Sequence, residues 1–208
     1  MSAIPVNFES PRLVAPEDQA RADYYALLAS LFFRAPDERL LQAIAIAEPP
    51  QGSQGTLAAT WQALADASSV VPAEAVSEEY ANMFVGVGRP PVMLFGSFYL
   101  AGFMMEKPLA ELRDDLAKMG FARVTEVRES EDHIAALCDV MRAMILGDVA
   151  TKPFSTDAQK KFFMTHVNTW ISRCTKNILE YHQSNYYKRV AEFAQAFFDM
   201  EAAAFQID

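Results

Sequence analysis

The chain has 208 residues, of which 51% are apolar, and a formal net charge of −9. This length and composition suffice to bury one sizeable core, and no linker divides the chain. The acidic balance, without a cluster of Lys and Arg, argues against nucleic acid or anionic membrane as a partner. It favours basic partners, although the same charge would also serve solubility alone.

The N-terminus lacks the basic start and continuous apolar run of an export signal. We therefore expect a cytoplasmic protein, with residues 1–17 as a flexible arm and residues 18–208 as one domain. Cys138 and Cys174 lie far apart among apolar residues at helical spacing. This pattern predicts two reduced thiols in the core.

Apolar residues recur three and four positions apart along the first third of the chain, which is typical of one face of a helix. A first helix is predicted from Asp18 until Pro36, and a second begins at Pro36 or Asp37. A turn-rich loop over 48–55, a short helix and a connection over 68–72 follow. The three predicted stripes are Tyr24, Leu27, Leu28 and Leu31; Leu40, Leu41 and Ile44; and Leu57, Trp61 and Leu64.

The next stretch combines a predicted helix with an uncharged run. Ser77 is predicted to cap the helix, with Glu78 and Glu79 where the helix dipole favours negative charge, and Gly86 to end it. Residues 90–105 carry no charge, but the run is too short and too broken for a transmembrane helix. We expect it to be buried in the core or to line an apolar groove.

The second half is predicted to be helical as well. A helix begins at Pro108 and ends at Gly120, residues 121–128 form an extended connection, and a strong helix starts within 129–133 and ends at Gly147. Two further helices carry one stripe of Phe162, Phe163, His166, Val167, Trp170, Ile171 and Cys174 and another of Val190, Phe193, Ala194, Phe197 and Phe198. The predicted fold class is all-α, a single-domain helical bundle.

No motif for a metal or a nucleotide stands out. His133, His166 and His182 are scattered without a short-spaced pair, so neither a zinc site nor another cofactor is expected. The Gly86 to Gly88 segment lacks the lysine and hydroxyl of a phosphate-binding loop, and helix capping is the better interpretation.

A second group, Ser130, Asp132 and His133, allows two interpretations. Ser and Asp in the first turn of a helix more often cap backbone N–H groups than act in catalysis. A small helical hydrolase or nucleotide-binding protein that uses Asp132 and His133 remains the alternative. With Glu129 and Glu131, the same residues could form an acidic recognition patch, or the contact surface of a subunit in a permanent complex.

Methionines cluster around these two stretches, where they could line a groove for varied apolar partners or simply fill the core. They are Met83, Met93, Met104, Met105, Met119, Met141 and Met144.

These segments resemble the TorD/DmsD/NarJ family of cytoplasmic chaperones for molybdenum-cofactor redox enzymes. The first two helices are similar to the family's, and residues 79–84 and 97–99 resemble its Tyr-x-x-Leu-Phe and Ser-x-Tyr segments. The Asp132–His133 pair resembles the family's Glu-Pro-x-Asp-His hinge motif, and residues 162–170 its Phe-x-x-x-His-x-x-Trp signature. The chain departs from the family at three positions, with Met83 for Leu, Ser130 for Pro and Gly96 for an acidic residue.

The resemblance implies a non-enzymatic, all-helical chaperone that binds the twin-arginine signal peptide and the apo form of a molybdopterin-dependent oxidoreductase before export. It implies no binding to nucleic acid and no stable insertion into a membrane. The implied oligomeric state is a monomer or a domain-swapped dimer. Such a peptide requires carboxylates beside an apolar trough. The predicted peptide-binding residues are Tyr80, Phe84, Leu94, Phe95, Ser97, Tyr99, Glu129, Glu131, Asp132 and His133.

Overall fold

A computed structural model describes residues 14–49, 55–86, 88–122, 129–147 and 152–207. Within these ranges the chain forms ten α-helices and two π-helical turns, which confirms the all-α class. The helices are α1 (Pro16–Phe33), α2 (Glu38–Ile46), α3 (Gly55–Val70), α4 (Ala73–Tyr80), α5 (Gly96–Ala101), α6 (Lys107–Lys118), α7 (Ile134–Leu146), α8 (Thr156–Phe162), α9 (Ile171–Glu180) and α10 (Tyr186–Ile207). The π-helical turns are Ala81–Val85 and Phe163–Val167.

The core lies between α1, α7 and α10, with α3 and α9 packed on α10. Aromatic rings fill its centre: Tyr24 lies 5.2 Å from Phe193 and 5.3 Å from Phe197 between ring centroids. Glu201 of α10 is buried and accepts hydrogen bonds from the Arg21 guanidinium at 2.7 and 2.9 Å. This charge pair joins α1 to α10.

Several predicted helix ends are confirmed. Asp37 caps α2, because its Oδ1 accepts a hydrogen bond from the backbone N–H of Leu40 at 2.8 Å. Pro108 lies in the first turn of α6, where its missing N–H costs nothing. Gly147 follows α7 with a φ of 64°, which favours glycine.

Helix α4 differs from its prediction. It begins at Ala73, directly after Pro72, and Ser77 therefore lies inside the helix instead of capping it. The buried face of α4 starts earlier than expected because Val76 packs in the core. Glu79 instead caps α10: its carboxylate accepts from the backbone N–H groups of residues 185–187 at 2.8 to 2.9 Å.

Two other boundaries were also predicted wrongly. Helix α3 is longer than expected and continues to Val70, through most of the predicted 68–72 connection. The long helix predicted around Phe162 and Trp170 is divided into α8, a π-helical turn and α9. The division places the Trp170 indole against α5, where it stacks on Tyr99 with ring centroids 5.5 Å apart.

Some predictions fall partly outside the described residues, including most of the 1–17 arm, residues 50–54 of the loop and residues 123–128 of the extended connection. Helix α1 already begins at Pro16. Cys138 and Cys174 are free and buried, as expected. No helix among the described residues is both long and apolar enough to cross a membrane.

Candidate functional site

Residues 94–97, where an extended segment enters α5, run against the turn that leads into α7, residues 130–134. The backbone N–H of Gly96 donates to the Asp132 carbonyl, and that of Ile134 donates to the Leu94 carbonyl, both at 2.9 Å. Phe95 and His133 are therefore paired as an antiparallel bridge. The predicted hinge motif thus forms a turn and not the first turn of a helix, since α7 begins only at Ile134.

Asp132 holds this junction from inside. Its side chain is buried, with Oδ2 accepting from the backbone N–H of Ser97 at 2.8 Å and Oδ1 accepting from the Ser130 hydroxyl. Because Ser97 lies in the first turn of α5, Asp132 caps a helix 35 residues earlier in the chain. The prediction that Ser130 and Asp132 cap their own helix is therefore wrong.

His133 caps α7 instead. Its Nδ1 accepts from the backbone N–H of Ala135 at 3.1 Å, so Nδ1 carries no proton in this arrangement. Burial lowers the pKa of His133 to about 4, although the neighbouring Asp132 acts in the opposite direction. The Ser130 hydroxyl donates to Asp132 and not to the imidazole. These contacts do not form the nucleophile and base pair of a hydrolase.

A cleft of about 580 Å³ lies on the α7 side of this turn, and we call it the larger cleft. Its wall is formed by the end of α1, the second half of α6 and one face of α7. Its apolar lining comprises Phe33, Leu116, Phe121, Ala122, Ala135, Ala136, Val140 and Ala143. Three carboxylates, those of Glu129, Glu131 and Asp139, also line it, together with Arg113 and His133.

The charged groups of the larger cleft differ in their environments. Arg113 donates from Nη2 and Nε to Oε2 of Glu131 at 2.8 and 3.0 Å, and this hydrogen bond raises the pKa of Arg113. Desolvation raises the pKa of Asp139, with Arg142 opposing the shift. A cation that entered the cleft would relieve the cost of keeping Asp139 ionised.

A smaller cleft of about 270 Å³ lies on the α5 side of the turn, where Ser97, Asp132 and Trp170 form part of the wall. One of its carboxylates already has a cationic neighbour: Asp115 contacts Nζ of Lys118 at 2.9 Å, and its other oxygen lies 3.1 Å from Nε2 of His166. Glu111, Asp114 and Asp132 also line the smaller cleft, so charge alone does not distinguish the two clefts. The larger cleft differs in its volume and in the apolar wall beside its carboxylates.

The structure distributes the predicted site residues over several places. Glu129, Glu131 and His133 line the larger cleft, and Ser97 and Asp132 line the smaller one. Three others, Phe84, Leu94 and Tyr99, are buried, and Tyr80 is half-buried against the core. Phe95 is half-buried, with its ring centroid 5.0 Å from that of His133. A role for all ten in peptide binding stays a prediction.

Tyr80 makes contacts within the chain. Its hydroxyl donates to the carbonyls of Phe32 and Phe33 at 3.1 and 2.9 Å, at the end of α1. Its ring packs edge-on against Phe84, and burial raises its pKa to about 12. Tyr80 satisfies a helix end and does not line the larger cleft, although it lies near enough to Glu129 for that carboxylate to raise its pKa as well.

Gly96 shows why this chain lacks an acidic residue before Ser97. A Cβ atom at Gly96 would lie 2.9 Å from Nε1 of Trp170, inside normal contact distance. The indole is fixed there because Nε1 donates to the His166 carbonyl at 2.8 Å. A side chain at this position would have to displace the tryptophan.

Sequence reasoning missed Arg113 and most of the apolar lining of the larger cleft. A signal was present in α7, where Ala136, Val140 and Ala143 follow helical spacing beside the fully buried stripe. A helix that is apolar over more than one stripe has a second surface to cover. Among the described residues, no cluster of three or more His, Cys, Asp or Glu side chains is arranged to hold a metal ion.

The chain is similar to known proteins both in sequence and in fold. The model of the nitrate reductase delta subunit family matches residues 51–176. This range contains α6, which lines both clefts, and the 130–134 turn. The chaperone protein TorD of Shewanella loihica is 23% identical over 211 aligned residues, covering 91% of this chain and 94% of that protein. TorD of Aliivibrio fischeri is 24% identical over 133 residues, covering 61% of this chain and 62% of that relative, which is less than two thirds of its length.

A crystal structure from Archaeoglobus fulgidus, described as a redox enzyme maturation protein, has the same fold. It superposes with a TM-score of 0.55 at 19% identity, covering 93% of this chain and 97% of that one. The relatives are chaperones, which confirms the expectation of a chaperone and not an enzyme.

Proposed function

Since the chain belongs to the nitrate reductase delta subunit family of redox-enzyme maturation chaperones, we propose that it binds the twin-arginine signal peptide of a molybdenum-cofactor oxidoreductase. In this proposal it works in the cytoplasm and holds the apo client until its cofactor is inserted, before export. The observation that carries the proposal is the larger cleft, in which an apolar wall adjoins carboxylates.

The apolar part of the peptide would lie against α7. Ala136, Val140 and Ala143 are small or branched, so a ligand chain can approach the helix closely, and Phe33 is half-exposed at the end of the cleft. Each large apolar side chain that leaves water there gains about 1.5–3 kcal/mol. A volume of about 580 Å³ is in the range of ligand pockets and accommodates a few side chains, not a whole signal peptide.

The arginine pair would meet the carboxylates of the same cleft. Glu129 precedes the 130–134 turn, Glu131 lies within it and Asp139 lies one turn into α7, so acidic groups are spread along the wall. Guanidinium groups bind carboxylates through two parallel N–H donors, which an ammonium group cannot do. A micromolar complex requires only about −8 kcal/mol, which a few apolar anchors and one or two charge pairs can supply after ordering costs.

Calorimetric titration of the full chain with a synthetic twin-arginine signal peptide, at low and moderate salt, tests the proposal. We expect saturable binding with a negative heat-capacity change, and weaker affinity at the higher salt concentration. Absence of binding to every such peptide from the source genome would refute the proposal.

Two variants locate the site. Ala136→Phe fills the larger cleft and should weaken binding roughly tenfold or more, which corresponds to the loss of one apolar anchor. Ala203→Phe, on the exposed side of α10, is the matched control and should bind normally. Asp139→Asn should weaken binding and its salt dependence, whereas the charge-matched Asp66→Asn on α3 should not. Equal affinities within each pair would place the peptide elsewhere.

A further inference from the structure

Arg113 is a cation built into the larger cleft. It projects from α6, with 46% of its side chain exposed, and binds Glu131, whose side chain is only 16% exposed. Both the Nη2 and Nε donors converge on one oxygen, Oε2 of Glu131. The carboxylate of Glu131 is thus held by a guanidinium of the same chemical type that we propose for the ligand.

The pair costs little to open from the side of Arg113, and in an exchange with a second guanidinium the less exposed Glu131 is not left without a cation. Ion pairs at exposed positions contribute a small free energy, since water solvates the separated charges and the long side chains regain freedom. Arg113 is the more exposed partner and can turn into solvent while α6 stays in place, because the helix is anchored by its buried leucines, Leu109, Leu112 and Leu116. Glu131 cannot turn away as easily, since it lies beside Asp132, which is fixed by Ser97 and Ser130.

From this arrangement we propose that Arg113 competes with an arginine of the bound peptide for Glu131 and thereby sets the affinity of the larger cleft for cationic peptides. The inference rests on the proposed function. Binding is then an exchange, in which the guanidinium of the ligand replaces the guanidinium of Arg113 on Oε2. The net gain at Glu131 is small for any cation, so affinity has to come from the apolar wall and from Glu129 and Asp139 as well.

The test compares the full chain with the Arg113→Gln variant by titration with a synthetic twin-arginine signal peptide. We expect Arg113→Gln to bind about two- to fivefold more tightly, the factor that corresponds to an exposed ion pair. Lys107→Gln is the control, because it removes the same charge from the same helix. Nζ of Lys107 lies 3.3 Å from a carboxylate oxygen of Glu111, and neither residue lines the larger cleft. This control should leave the affinity unchanged.

Two further arms separate exchange from a general field effect. In the Glu131→Gln background, Arg113→Gln should no longer raise the affinity, because there is no carboxylate to compete for. A peptide whose two arginines are replaced by glutamine should bind the parent chain and Arg113→Gln equally.

An affinity of Arg113→Gln no higher than that of Lys107→Gln, or a gain that persists in the Glu131→Gln background, would overturn the inference and leave the proposed function standing. If no variant binds the twin-arginine peptide, the proposed function itself fails, and the inference fails with it. Far-UV circular dichroism and urea midpoints, expected to be unchanged for Arg113→Gln, show that the fold is intact.

Discussion

Replacing Asp132 with alanine should destabilise the protein by about 2–3 kcal/mol. The substitution leaves the Ser97 N–H without its acceptor, in a residue that is only 1% exposed. A buried donor without a partner costs about 1–3 kcal/mol, and hydrogen bonds to a charged acceptor lie in the upper part of that range. The Ser130 hydroxyl also loses its acceptor, but it can rotate, so we assign it a smaller cost.

Asp132→Asn should cost less, about 1 kcal/mol, because an amide oxygen can still accept from Ser97 and the amide nitrogen can donate to Ser130. Neutral hydrogen bonds of this kind are roughly half as strong as charged ones. Urea unfolding followed by circular dichroism measures both variants, with an unchanged slope expected. Asp114→Ala, on the exposed side of α6, serves as the control and should remain within about 0.5 kcal/mol of the parent.

The reasoning is refuted if Asp132→Ala unfolds within about 0.5 kcal/mol of the parent, since a buried, unpaired amide cannot be that cheap. It is also refuted if Asn costs as much as Ala, because the acceptor geometry would then contribute nothing.

Three further predictions concern other buried polar groups. Glu79→Ala should lower the urea midpoint by an amount equivalent to about 2 kcal/mol, because the first turn of α10 loses its carboxylate cap; a change confined to the noise would contradict this role. Arg21→Ala should cost about 3–5 kcal/mol and more than Glu201→Gln, since it leaves the buried Glu201 carboxylate without its cation; thermal unfolding of both variants decides the order. As the pH is lowered from about 6.5 to about 4, the free energy of unfolding should fall by up to about 3 kcal/mol. The pKa of His133 is about 4 in the folded protein and near 6.5 in the unfolded chain, so the unfolded chain takes up the proton first. His133→Asn keeps an acceptor at the cap and should lose that part of the pH dependence; parallel stability curves for the two proteins would show that the imidazole is not the cause.

The helices of this protein could be predicted because their signals are local. The stripe of α10, for example Val190, Phe193 and Phe197, repeats within a few residues and is fully buried in the structure. Caps formed by neighbouring residues, such as Asp37 on α2, are equally local. The capping of α5 by Asp132 is different, since donor and acceptor are 35 residues apart and nothing near Asp132 indicates the partner.

The candidate site was only partly predictable for the same reason. Acidic residues at 129 and 131 stand out in the sequence, and both line the larger cleft. Arg113 lies on a different helix, and its contact with Glu131 depends on how α6 packs beside the turn. Tyr80 and Tyr99 look like surface aromatics of a groove in sequence, but their hydroxyls donate to backbone carbonyls of the chain itself, at the end of α1 and at Met93.

The adjacent residues Glu79 and Tyr80 have a consequence for the order of folding during synthesis. The Glu79 carboxylate holds the start of α10, 106 to 108 residues later, while the Tyr80 hydroxyl holds the end of α1, 47 to 48 residues earlier. Arg21 likewise finds Glu201 across 180 residues. Helix α1 therefore obtains its partners only after α10 has left the ribosome, and this chaperone must itself pass through a long period with an open core.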